Sequence, residues 1–107
     1  MNRNLPSANE IRCSCYEKDK SLVYFGKVIN KYKDKKNHDF SLVIVENRGI
    51  VDTLDLTWDY TYLFEYIEIN DSIKKDSGSY DVHLYRDKID NIFTLDYNCD
   101  SKKIDNE

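Results

Sequence analysis

The chain has 107 residues, 40% of them apolar and 13% aromatic, with nine Tyr. That length holds one domain and one core, which excludes two independent domains, and the apolar content suffices for folding without an obligatory metal or disulfide. Twenty acidic against sixteen basic residues leave a net charge of -4, which opposes general attraction to phosphate backbones or anionic membranes and leaves only a local basic patch as a route to either.

No apolar run approaches the roughly 18 residues that a membrane-spanning helix needs. Residues 1–10 are polar and lack the apolar stretch of a secretory signal. The expected location is periplasmic or envelope-anchored if a leader has been removed, and cytoplasmic otherwise. Residues 1–20 hold the single proline, Pro6, among mostly polar neighbours and read as an irregular arm. Residues 21–99 form the domain, and residues 100–107 read as a frayed tail.

Residues 21–32 are too rich in β-branched and aromatic side chains to favour helix and are expected to form a first strand. Apolar residues fall on both of its faces before Gly26, which points to a bulge or tight coil there. A charged loop, residues 33–39, leads to a second strand at residues 40–46. Asn47-Arg48-Gly49 can take the positive φ of a tight turn into a third strand at residues 50–57. There Ile50, Leu54, Leu56 and Trp58 share the core parity.

The period then changes. Tyr60, Leu63, Phe64 and Ile67 fall at i, i+3, i+4 and i+7, which predicts a short helix plugging one end of the sheet, with Asp59 as its N-cap. A capping box would place Glu or Gln where Tyr62 stands. Asn70-Asp71 turns the chain into a fourth strand at residues 72–75. Residues 79–86 alternate, with Tyr80, Val82 and Leu84 inward and Asp81, His83 and Tyr85 outward. A polar loop at residues 87–91 precedes a closing strand, residues 92–97, with Phe93, Leu95 and Tyr97 inward.

The fold class expected from this order is mainly β: a small five- to six-stranded OB-like barrel with one short helix between strands three and four. An SH3-like barrel is the alternative, and the length of the helical stripe favours the OB-like order.

Cys13-Ser14-Cys15 and Cys99 leave two possibilities open. Cys13 or Cys15 could bond Cys99 and clip the chain ends together, or all three could be free thiols in a reducing compartment. As a zinc site Cys-x-Cys lacks a second pair, so no metal or other cofactor is expected.

Little here points to catalysis. His38 among Asp34, Asn37 and Asp39 could offer metal ligands, but no second histidine lies at ligand spacing and a solvated loop accounts for the cluster. His83 is read as a surface residue. Glu65, Glu68, Asp71, Asp81 and Asp96 could supply a glycosidase carboxylate pair, although surface solvation explains them more simply. Gly26, Gly49 and Gly78 are isolated, so there is no phosphate loop. The strongest binding pattern is Lys27, Lys31, Lys33, Lys35 and Lys36 interleaved with Tyr24 and Tyr32 and ending at His38, a basic and aromatic mixture of the kind OB barrels use for single strands. Lysine on an exposed strand also discourages edge pairing without any ligand. Strand two is apolar on both faces, through Phe40, Leu42 and Ile44 and through Val43 and Val45, so one face should meet the N-terminal arm or a second subunit in a homodimer.

Gly26-Lys27-Val28, residues 32–38 and residues 63–73 together resemble small uncharacterised bacterial envelope-associated proteins, often of lipoprotein type. The resemblance spans roughly residues 26–99 and its motifs are structural in character. Where that pattern has glycine before the aspartate, this chain has Asn70, which also tolerates positive φ. The resemblance implies an exported protein with a late cysteine matching Cys99, favours its bond to Cys13 or Cys15, and brings no catalytic residues. The expected function is therefore a non-enzymatic binding or interaction module of the bacterial cell envelope, with an unknown protein or small ligand as partner. Single-stranded nucleic-acid binding through the Lys/Tyr face is the alternative, and a carboxylate-based hydrolase is a third class.

Overall fold

The computed structural model describes residues 7–36 and 38–99. The expected tail at residues 100–107 lies outside them, as do Pro6 and Asn37. The chain runs α1 (Ala8–Lys20), β1 (Tyr24–Asp34), β2 (Phe40–Asn47), β3 (Ile50–Asp55), α2 (Leu63–Tyr66), β4 (Ser72–Lys75), β5 (Asp81–Arg86) and β6 (Ile89–Thr94). All six strands belong to one antiparallel sheet, ordered β3-β2-β1-β4-β5-β6. A mainly β domain with a short helix between the third and fourth strands is thus present.

Closure is not. Among the described residues no ladder joins β3 to β6, so both remain edges and the sheet is open rather than a barrel. Its inner face is covered instead by α1, α2 and the segment after β6. Val28, Val43, Val45, Leu54, Ile73, Val82 and Leu84 from the strands meet Leu63, Ile67, Leu95 and Tyr97 in one core.

Of the irregular arm expected over residues 1–20, the stretch Ala8–Lys20 is instead the helix α1. Its start is a complete capping box: the Ser7 hydroxyl accepts from the Glu10 amide, and the Glu10 carboxylate accepts from the Ser7 amide. Acidic Glu10 in the first turn and basic Lys18 and Lys20 in the last complement the helix dipole. A narrow stripe holds α1 to the sheet. Cys13 is bonded to Cys99 with Cα atoms 5.2 Å apart, and Cys15 is the free thiol. Tyr16 stacks on Tyr80 at 3.9 Å and its hydroxyl donates to the Leu95 carbonyl. The Tyr97 hydroxyl donates to Asp19. Lys75, fully buried, donates to the carbonyls of Lys20, Leu22 and Asp76 at 2.6–3.2 Å, which ties the end of α1 to β4.

The helix after the third strand is shorter than its stripe predicts. α2 is a single turn whose N-cap is Tyr62 in the left-handed region, not Asp59. Asp59 is used elsewhere: it accepts from the Asp96 amide and the Thr61 hydroxyl, while the Tyr60 amide donates to the Asp96 carbonyl. These bonds pin the chain to the segment after β6 and delay the helix until Leu63. The last hairpin also starts earlier than expected. Asp87 and Lys88 both take positive φ, so a two-residue turn brings Arg86 opposite Ile89 and the polar stretch becomes strand. In β2, Val43 and Val45 point inward and are buried, while Leu42 and Ile44 point outward and are half-buried. α1 contacts inner-face residues, so it does not cover that outer apolar row.

Candidate functional site

β1 changes partners along its length. Tyr24 to Lys27 pair with β4, and Lys27 to Asp34 pair with β2. At the changeover Gly26 lies so close to β2 that a Cβ there would stand 2.6 Å from the Glu46 carbonyl oxygen, which only glycine avoids. The register then slips between Val28 and Asn30. The two halves of the sheet diverge at this point and leave a cleft of about 420 Å³ on the outer face.

The cleft is lined by side chains that come from four strands and a turn. Phe25 and Lys27 come from β1, Arg48 from the β2–β3 turn, Lys74 from β4 and Tyr85 from β5. Phe25 is 57% and Tyr85 39% exposed. The single carboxylate in the lining, Glu46, accepts from the Gly49 amide at 2.9 Å and so braces the turn that carries Arg48. The described ion pairs involve only His83 with Asp90, and Arg86 with Asp71 and Glu68. Lys27, Arg48 and Lys74 therefore have no carboxylate partner among the described residues. Three cations without an ion-pair partner outnumber the one carboxylate of Glu46 and, with two exposed rings, make the cleft an anion-attracting patch on a chain whose net charge is -4.

The Lys/Tyr pattern read along the first strand does not assemble. Of its members only Lys27 reaches the cleft. The register slip explains this, because an extra residue reverses the parity of everything after it. Lys31 falls opposite inward Val43, and its ammonium donates to the carbonyls of Phe64 and Glu65 at 2.8 and 3.3 Å. Lys33 lies 5.9 Å over the Phe64 ring. Tyr24 is buried in the core, where burial pushes its hydroxyl up to about 12. Tyr32 is exposed on the outer side, and Lys35, Lys36 and His38 are exposed around the β1–β2 turn.

The other candidates are dispersed. His38 lies 5.9 Å from the Phe40 ring, and among the described residues no group of three or more His, Cys, Asp or Glu is placed to hold a metal. His83 is half-buried and its Nδ1 is 3.0 Å from Asp90 across the β5–β6 ladder, so it is more engaged than a plain surface residue. Asp71, almost fully buried, takes a bidentate grip from Arg86 at 2.6 and 2.9 Å and the Glu68 amide at 2.8 Å. Burial alone would raise its carboxyl, but the Arg86 bonds and the Glu68 amide outweigh that and hold it below the ordinary carboxylate range. Asp81 accepts from Thr94 and Asp96 from the Asn98 amide. None of the five carboxylates lines the outer cleft or a second one of about 400 Å³ beside α1, which is walled by the stacked Tyr16 and Tyr80 and by Cys99.

Comparison of the chain with protein-family models, curated proteins and solved structures finds no match. No binding signal in the sequence marks Phe25, Arg48, Lys74 or Tyr85, although the outward parity of Tyr85 is visible there, and the bulge expected at Gly26 falls instead between Val28 and Asn30.

Proposed function

We propose that this protein is a non-enzymatic binding module of the bacterial cell envelope, with its ligand surface at the outer cleft where β1 changes partners. One observation carries the proposal: Lys27, Arg48 and Lys74 surround the cleft without ion-pair partners among the described residues, beside two exposed rings. An excess of positive over negative charge facing an open cleft suits an external anion. The envelope assignment is supported by the Cys13–Cys99 bond, which persists in oxidising compartments, and by the resemblance carried by residues 26–99. The path of the chain supports an OB-like relationship. The long first strand β1 carries β2 and β3 on one side and β4, β5 and β6 on the other, with a helix between the third and fourth strands, an order akin to an OB barrel left open with one strand added.

The test is amide NMR on the oxidised protein, titrated with short peptides, oligosaccharides and oligonucleotides. Shifts should cluster at Phe25, Lys27, Arg48, Lys74 and Tyr85. Shifts gathered on another face would overturn the site, and chemical conversion of any ligand would overturn its non-enzymatic character.

A second reading rests on the same strand path and on the mixture of cations and rings, which fit single-stranded nucleic acid. It requires retention on an oligothymidylate column that falls steeply with salt and is lost in Lys27→Ala.

A further inference from the structure

Resting on the binding reading above, we infer that the outer cleft takes an anionic sugar, a pyranose ring bearing a carboxylate or a phosphate. Three features of the cleft argue together. Its size, about 420 Å³, suits one or two ring-sized units rather than a folded partner. Phe25 and Tyr85 are both exposed in the lining, Tyr85 with its ring stacked along His83, and the negative face of an aromatic ring attracts the slightly positive C–H edges of a sugar. Lys27 and Lys74 supply mobile point charges, while the Arg48 fork matches the two oxygens of a carboxylate or phosphate.

The limits of the charged patch discriminate against a long polyphosphate. On the same outer face Asp55 of β3 stands opposite Leu42 of β2, Asp81 of β5 opposite Thr94 of β6, and Asp90 of β6 opposite Tyr85 of β5. A strand of nucleic acid leaving the cleft toward β6 would meet Asp90 beside Tyr85, and one leaving toward β3 would find Val51 opposite Glu46, Thr53 and then Asp55, with no cation among them to hold it. Lys31, which would have extended a basic track along β1, is held on the carbonyls of α2. A single acidic sugar needs no such track. Its anion stays between the three cations and its neutral ring lies on the aromatic side chains.

Calorimetric titration of the oxidised protein tests this with galacturonate trisaccharide, mannose 6-phosphate, maltotriose and oligothymidylate. The two anionic sugars are the arms that separate a carboxylate from a phosphate ligand. At least one should bind, with maltotriose weaker by about two orders of magnitude and each of Lys27→Ala, Arg48→Ala and Lys74→Ala weakening binding about tenfold. Lys74→Arg should retain binding, and Tyr85→Ala should weaken it at unchanged unfolding midpoint. Equal affinity for maltotriose, or preference for oligothymidylate, overturns the inference. If neither anionic sugar binds while another ligand shifts the cleft amides, the sugar assignment fails and the binding module stands. If no ligand shifts them, both fail.

Discussion

Tyr24 shows how one position can look like a ligand contact and serve the core. On the sequence it stands near a run of lysines. In the fold it points inward, and burial, with Asp19, Asp55 and Asp52 adding to it, lifts its hydroxyl from 10.0 to about 12. A folded-state value above the unfolded one stabilises the protein at lower pH, and that contribution disappears as pH rises from 10 to 12. Tyr97 is pushed up too, by burial first and then by its bond to Asp19, so it acts in the same direction. Burial lowers the ammonium of Lys75, whose contribution instead grows as pH climbs toward 10.5. Tyr16, Tyr80 and the Cys15 thiol are raised by burial as well, so four tyrosines and a thiol stand against one lysine and urea midpoints should fall as pH rises past about 10. Tyr24→Phe should remove part of that fall, with tyrosinate absorbance reporting the same window. A midpoint indifferent to pH through that range would refute the burial assignment.

At the scale of elements, β1 decides both the fold and the cleft. Gly26 lets two backbones approach, and the slip after Val28 turns Lys31 and Lys33 away from the face that carries Lys27. Gly26→Ala should therefore cost about 1–3 kcal/mol through the clash with the Glu46 carbonyl, with faster amide exchange along the first pairs of the β1–β2 ladder. Gly78→Ala meets nothing within 4 Å and is strained only by its φ of +86°, so its cost should be nearer 1 kcal/mol. Equal urea midpoints for the two variants would count against close approach as the role of Gly26. α1 teaches a different lesson. Its capping box, Ser7 with Glu10, is written plainly in the chain, but Cys13 and Tyr16 make too narrow an apolar stripe to announce a helix by periodicity. Its stability comes from what it docks on.

For the molecule as a whole, the Cys13–Cys99 bond joins α1 to the segment beyond β6 across a sequence separation of 86 residues. Removing it with Cys13→Ser should lower stability by about 2–5 kcal/mol, because the unfolded chain regains the freedom of a long loop. Cys15→Ser should leave the unfolding midpoint unchanged, and a reductant should reproduce the loss in the unsubstituted protein. Identical midpoints with and without reductant would remove the bond from the forces that hold α1. Much of the sheet was legible beforehand. β-branched and aromatic content located the first strands, alternation the third, fifth and sixth, and the turns at Asn47-Arg48-Gly49 and Asn70-Asp71 bounded the rest, because which face a strand buries is a local property of its side chains. The outer cleft was not legible in the same way. Phe25, Arg48, Lys74 and Tyr85 lie far apart in the chain and meet only because β1 pairs with β2 on one side and β4 on the other. Side-chain type, alternation and turn residues along the chain determined the strands and most of the core. Strand order, the open edges, the partner of Cys99 and the gathering of cations were decided by long-range pairing, whose energy depends on neighbours that no local pattern names.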